Sequence, residues 1–504
     1  MKIIFNNVLG LSLATIVALG CGDDDGGSDA GDAAVDGPTP DVPTIDANID
    51  ANLDGSMPQA PAYAFDSRFV DGESSVVYTG QALRHLLIDR LNAFIGGLSD
   101  DVDSGAFTTA ADVVSACDFF YRFDSDSNGG EAHGLVLDLP TLQTTWDAIG
   151  AANLVDKTAG NDSSTDHRNW NGGDFAGWSD ATVLGGAPIG TPTQLIDAYF
   201  ATLGANAEAR AEGAQPTGPD GENLPVYVTA EGLDLQQLIQ KTLLMAVAFS
   251  QGTDDYLDSD VADKGLLASN DQADANPYSA LEHAWDEGFG YFGAPRDMDE
   301  YTDDELASEG GRADWQGVHD TNGDGMIDLT AERAYHAAVN AAKRDRAAVD
   351  AIDYTADAFE ALVAGRALLA ASEGALTAEQ MTELEGYRDT VVAAWEMAIA
   401  ATVIHYINDT LGDMDAFGTD EYSFVDHAKH WSEMKGFAIG LQFNPRSPMN
   451  EGTRFDDLHT ALGDRPVLAA ADDAAIAAYR DALVSARDLL RDAYGFSNAN
   501  AEAW

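Results

Sequence analysis

Asp320, Asn322, Asp324 and Asp328 occupy positions 1, 3, 5 and 9 of the stretch Asp320-Thr-Asn-Gly-Asp-Gly-Met-Ile-Asp328. Calcium takes six to eight hard oxygens, and side-chain oxygens at alternating loop positions can wrap around one ion. Gly325 at position 6 allows the sharp turn, and the Met326 carbonyl falls at position 7. Ile327 would tie the loop to the core. Position 12 departs from an EF-hand: it is Ala331, with Glu332 one residue late. The spacing predicts a single structural calcium site formed by Asp320, Asn322, Asp324, Met326 and Asp328. The competing reading is an ion-free Asp/Asn/Gly turn. A second acidic turn, Asp124-Ser-Asp126-Ser-Asn128-Gly-Gly130, lacks the later ligands.

The chain has ten histidines, and four sit where they could ligate. His283 and Glu287 lie at i, i+4 on one helix face, close enough to pair or to hold one ion. His427 and His430 lie at i, i+3, with Glu433 three residues further on. His405 belongs to a third helix. If those helices converge, His283, Glu287, His405, His427, His430 and Glu433 could form a mixed histidine/carboxylate site for iron or another transition metal. The plainer reading is a set of hydrogen-bonded core histidines, above all for His427 on an apolar seam. The chain has no Gly-x-Ser-x-Gly, His-Glu-x-x-His, Walker or dinucleotide signature, so no catalytic residue is nominated.

Helical periodicity positions these residues. Leu281, Trp285, Phe289 and Phe292 recur at steps of 4, 4 and 3. With Asn276 as N-cap and Pro277 in the first position, they predict a helix carrying His283. Leu83, Leu87, Leu91, Phe94 and Leu98 predict another. Phe424, His427, Trp431, Met434, Ala438 and Leu441 step by 3, 4, 3, 4 and 3, and a run from Met381 to Tyr406 brings His405 to a helix end. Thr193–Ala211, Gly232–Phe249, Ile476–Ala493 and one long or broken helix over Leu329–Ala371 complete a mostly α body. The expected fold is a helical bundle with long loops and one calcium-binding loop. Asp156 to Ala187 reads as a long polar loop, either a binding loop or a packed lid, with Trp170 and Trp178. The Gly/Pro-rich stretch 211–225 is the best place for an internal subdivision.

A formal net charge of −60, from 86 acidic against 26 basic residues, argues against nucleic-acid or anionic-membrane partners. Residues 1–20 read as an export signal: Lys2, then an apolar run too short to span a bilayer. Val17-Ala-Leu-Gly20-Cys21 resembles the lipobox of bacterial lipoproteins, in which the cysteine is lipid-modified; that implies Cys21 as the anchor. Gly22 after it suits outer-membrane sorting by the same resemblance. Residues 21–58, with ten aspartates and no Lys, Arg or aromatic, cannot bury a core and read as a disordered tether. The body is 59–504. Cys117, the other cysteine, is left as a buried apolar residue.

Five segments carry a family resemblance. They are Gln237-Leu-Ile-Gln-Lys241, Leu281-Glu-His-Ala-Trp-Asp-Glu-Gly-Phe-Gly-Tyr-Phe-Gly293, the 320–328 loop, Ala341-Ala-Lys-Arg-Asp345 and the stretch His430–Arg446. Together they resemble a bacterial lipoprotein family, domain of unknown function 4856. The resemblance implies an envelope lipoprotein, with a distant analogy to imelysin-like iron-uptake proteins, although their Gly-x-His-x-x-Glu signature is not evident. The readings are an outer-membrane or cell-surface lipoprotein binding a metal or metal complex in an iron-uptake-related role, a metal-dependent hydrolase using Glu282, Asp286 or Glu287 as base, or a surface interaction protein without small ligand. Its partners would be the membrane, through the lipid, and iron-uptake envelope proteins.

Overall fold

The computed structural model of the protein describes residues 62–162, 166–219, 221 and 223–504. The export signal, Cys21 and the tether lie outside the described residues. Among those residues there are fifteen α-helices and no strands. The fold is the mostly α bundle that the spacing predicts.

The central post is the 38-residue helix Ala378–Asp415. Tyr354–Ala371, His336–Arg346, Phe424–Gly440 and Asp473–Tyr494 pack against it. Phe424–Gly440 in turn meets Leu235–Leu243, which leans on the 25-residue helix Thr79–Asp103. The apolar stripe of Thr79–Asp103 is buried where the spacing places it, at Leu83, Leu87, Leu91 and Leu98. One continuous apolar core runs from Tyr63 to Trp504 and includes Cys117.

Three local expectations are corrected. The helix bearing His283 begins at Ala280, and its N-cap is Ser279 rather than Asn276. A reciprocal capping box explains this: Ser279 Oγ accepts from the Glu282 N–H, and Glu282 accepts from the Ser279 N–H. Over Leu329–Ala371 the broken alternative holds, as His336–Arg346 and Tyr354–Ala371, but the start near Leu329 does not. Asp345 makes the break, its two oxygens accepting the N–H groups of Tyr354 and Thr355. No helix begins near Leu329, because this stretch pairs outward instead: Arg333 bridges to Val318, and the Tyr335 N–H donates to the Gly293 carbonyl.

The third correction concerns the helix that starts at Leu235. It is α-helical only to Leu243 and then runs as two π-helical segments, Leu244–Phe249 and Gln251–Tyr256. π-turns are rare and recur at functional sites. Two glycines make this one possible. A Cβ on Gly252 would lie 2.6 Å from Trp395, and one on Gly265 would lie 2.4 Å from the Asp258 carbonyl oxygen. Gly265 also adopts the left-handed φ of +48° that glycine tolerates.

Candidate cation sites

The 320–328 loop is preformed by its own side chains. Asp320 accepts from the N–H groups of Asp324 (3.1 Å) and Gly325 (2.8 Å), Asn322 Oδ1 accepts from Asp324, and Asp324 accepts from Met326. Gly325 takes the left-handed φ of +81° that position 6 demands. Ile327 is buried and pairs in parallel with Thr141, through its N–H to the Pro140 carbonyl and its carbonyl to the Leu142 N–H. Asp328 accepts from Gln143 and from Thr330. Glu332 closes the loop from inside: its carboxylate accepts from the N–H groups of Thr321, Asn322 and Asp328. Burial raises its pKa, with the Asp328 and Asn322 N–H groups opposing. The late glutamate therefore bonds backbone.

The structure sends the four singled-out histidines to separate partners. His283 stacks on Tyr278, meets the Val77 carbonyl and stands 3.8 Å from Glu287, which itself accepts from Gln81. His405 pairs with Asp409 at 3.3 Å and His430 with Asp413 at 2.9 Å. His427 lies beside Tyr422 and Phe417, and burial lowers its pKa to about 4. Glu433 is paired with Lys241 at 3.1 Å, deep in the Leu235–Leu243 contact. The one group of three or more potential ligands within 4.8 Å of one another, among the described residues, contains none of these.

That group is His167, Asp258 and Asp260, and reading the sequence missed it. The π-helix delivers Asp254 and Asp255 at its C-terminal end, with Asp258 and Asp260 just beyond. The long loop delivers His167. The Ala159 N–H docks this loop on the Ala246 carbonyl in the π segment. Its other end is held by Trp170 and Phe175 against Phe443, by Arg168 on Asn450 and by a two-way bond between Ala176 and Gln442. The loop is thus packed, and both tryptophans contribute rings to the interior.

His167 Nδ1 bonds Asp254 Oδ1, and Nε2 lies 2.5 Å from Asp260 Oδ2 and 3.9 Å from Asp258 Oδ2. Asp254, Asp255 and Asp258 are buried, whereas the Asp260 side chain is 65% exposed. Arg446, from the turn after Phe424–Gly440, donates to Asp258 Oδ1 (2.6 Å) and to the Thr253 carbonyl. Burial pushes Asp254 up to about 6, against the hydrogen bond from His167. Burial and then Asp254 push Asp166 up to about 7. Burial alone would lower His167, but the bonds to Asp260 and Asp254 outweigh it and raise its pKa.

A sequence signal for this cluster does exist. Asp254-Asp-Tyr-Leu-Asp258-Ser-Asp260 places four carboxylates at the end of an apolar helix, where the helix dipole is negative and carboxylates are disfavoured. The hydrolase reading, by contrast, loses two of its bases to architecture. Glu282 pairs with Arg366 and Arg68, and Asp286 is held by Arg366, Tyr63 and the Val77 N–H.

The model of the family described as Domain of unknown function (DUF4856) matches residues 192–444, and the chain belongs to that family. The match spans the 320–328 loop and Asp254, Asp258 and Asp260, and leaves His167 and Arg446 outside it. No curated protein matches the chain, and no solved structure matches it.

Proposed function

We propose that this member of the family of domain of unknown function 4856 is a cation-binding lipoprotein of the cell envelope. In this reading it is anchored through Cys21, and calcium in the 320–328 loop stabilises it. The observation that supports calcium is the loop itself. Asp320 through both oxygens, Asn322 through its one oxygen and Asp324 through Oδ1 accept the loop's own N–H groups. This gathers the carboxylates and the amide around one turn while each oxygen keeps a lone pair for an ion, and Ile327 is pinned to Thr141. The ion would fix the 320–328 loop against Pro140–Gln143, to which Ile327 and Asp328 bond. The acidic surface enriches cations around the body, which is the support for a metal-handling, iron-uptake-related role.

The test is thermal unfolding of the full chain with calcium and with chelator. An ion present at about 100 times its dissociation constant adds ~2.7 kcal/mol, which corresponds to a rise of roughly 2–5 °C in Tm for a chain this size. Asp320→Ala with Asp324→Ala should remove that rise. Superimposable melts with calcium and with chelator would refute the reading.

A further inference from the structure

Six carboxylates gather where the π-helix ends: Asp162, Asp166, Asp254, Asp255, Asp258 and Asp260. Against them stand Lys157, Lys264, Arg446 and, when protonated, His167, while Glu287 adds to the acidic side. Lys157 is paired with Asp162 and lies 3.7 Å from Asp255; Arg446 is used by Asp258. That leaves a surplus of negative charge over three buried aspartates at the negative end of a helix dipole. A fold that only needed stability would have balanced these charges or left them in water. Two buried polar atoms where this π segment begins, Ser250 Oγ and Gln251 Oε1, also lack hydrogen-bond partners. The helix geometry is locally unusual at this same point.

We propose that His167, Asp258 and Asp260 bind one divalent transition-metal ion of the manganese, iron(II) or zinc class, with Asp254 positioning the imidazole. The ligand atoms are His167 Nε2 and the Oδ2 atoms of Asp258 and Asp260. They stand within 4.8 Å of one another, and ligands about 2.1 Å from a common ion stand roughly 3–4 Å apart. Small side-chain shifts therefore suffice. Asp254 on Nδ1 supplies the carboxylate–histidine support that orients a metal-bound imidazole and fixes Nδ1 as the protonated nitrogen. Arg446 holds Oδ1 of Asp258, while Oδ2 accepts the Asp260 N–H and offers its remaining lone pair to the metal. One imidazole with two carboxylates suits manganese, iron(II) and zinc better than copper(I), which prefers sulfur, or calcium, which prefers oxygen alone. One position on a tetrahedral ion, or three on an octahedral one, is left to water or to a small anionic ligand. The site is independent of the calcium loop.

The experiment titrates the full chain with Mn2+ alone, following loss of the free-ion electron paramagnetic resonance signal, and then competes with Zn2+. The expected result is one tight site per chain beyond any taken by the loop, weakened at least 100-fold in His167→Ala. Asp260→Asn, an isosteric change at an exposed side chain, should weaken it as much while the far-ultraviolet circular dichroism stays that of the native protein. Asp254→Asn should weaken it about 10–100-fold, the scale of lost outer-shell support. Asp320→Asn with Asp324→Asn should leave Mn2+ binding intact and abolish only the calcium-dependent Tm rise. No saturable Mn2+ binding, or equal affinity in a folded Asp260→Asn variant, would overturn the proposal. So would loss of all Mn2+ binding in the loop variant, with the calcium reading still standing.

Discussion

Two buried acidic groups in this molecule are built from the same kind of residue and end in opposite states. Glu282 and Asp286 lie in the first turns of Ala280–Phe292, where the helix dipole favours carboxylates. Asp254, Asp255, Asp258 and Asp260 lie at and beyond a helix C-terminus, where it opposes them. The first pair is matched charge for charge. Arg366 reaches both residues, at 3.1 Å and 2.9 Å, Arg68 adds to Glu282, and Tyr63 donates to Asp286. Burial pushes Asp286 up, and Arg366 leads the groups that oppose it. The second group is short of cations and long on exposure at one edge, through Asp260. The comparison teaches that buried carboxylates are structural when the fold supplies their counter-charge, and become candidates for ion binding when it does not.

The largest expected effect comes from unbalancing the balanced pair. Arg366→Met leaves Glu282 and Asp286 buried without their shared cation, and should cost ~3–5 kcal/mol of stability in denaturant unfolding. An unchanged midpoint would dissolve the distinction drawn above. Asp254→Asn removes a charge from the surplus instead, and should leave metal-free stability equal or higher, so the two changes differ in sign.

A packing test comes next. Gly252→Ala forces a Cβ to within 2.6 Å of Trp395. It should cost about 1–3 kcal/mol through overpacking and lower Mn2+ affinity, because the π-turn carries Asp254. Calcium dependence at the loop should be unaffected. A fully native Mn2+ titration in this variant would separate the π-turn from the metal site.

The smallest effect is a pH dependence. Asp254, raised to about 6, and Asp166, raised to about 7, hold protons more tightly folded than unfolded. Their stabilising contribution is therefore full below about pH 4 and is lost as pH rises through 6–7. In chelator, Tm should fall by roughly 2–5 °C between pH 5 and pH 8 from these groups, and Asp166→Asn should flatten that slope. A slope identical in the variant would remove Asp166 from the account.

How much of this was legible in the sequence depended on distance along the chain. The stripes at Leu83–Leu98 and Phe424–Leu441 announced helices because their periodicity is local. The 320–328 loop was legible for the same reason, all its oxygens lying within nine consecutive residues. The helix start at Ser279 was obscured by Pro277, which fits a first helical position but lost to the Ser279–Glu282 box. The π-turn was invisible, because every residue from Leu243 to Phe249 is buried apolar and such a run has no period to read. The His167 cluster joins residues 87, 93 and 188 positions apart. Only the excess of aspartate after residue 253 hinted at it. The four histidines drew attention by residue type, while their neighbours, Asp409, Asp413 and Tyr422 among them, decided their roles.

Anomalous diffraction from crystals of the protein loaded with Mn2+ or Zn2+ tests the central claim most directly. The account predicts a metal peak about 2.0–2.3 Å from His167 Nε2 and from carboxylate oxygens of Asp258 and Asp260, separate from any calcium in the 320–328 loop. A peak confined to the loop, or none between His167 and Asp260 at saturating metal, would contradict it.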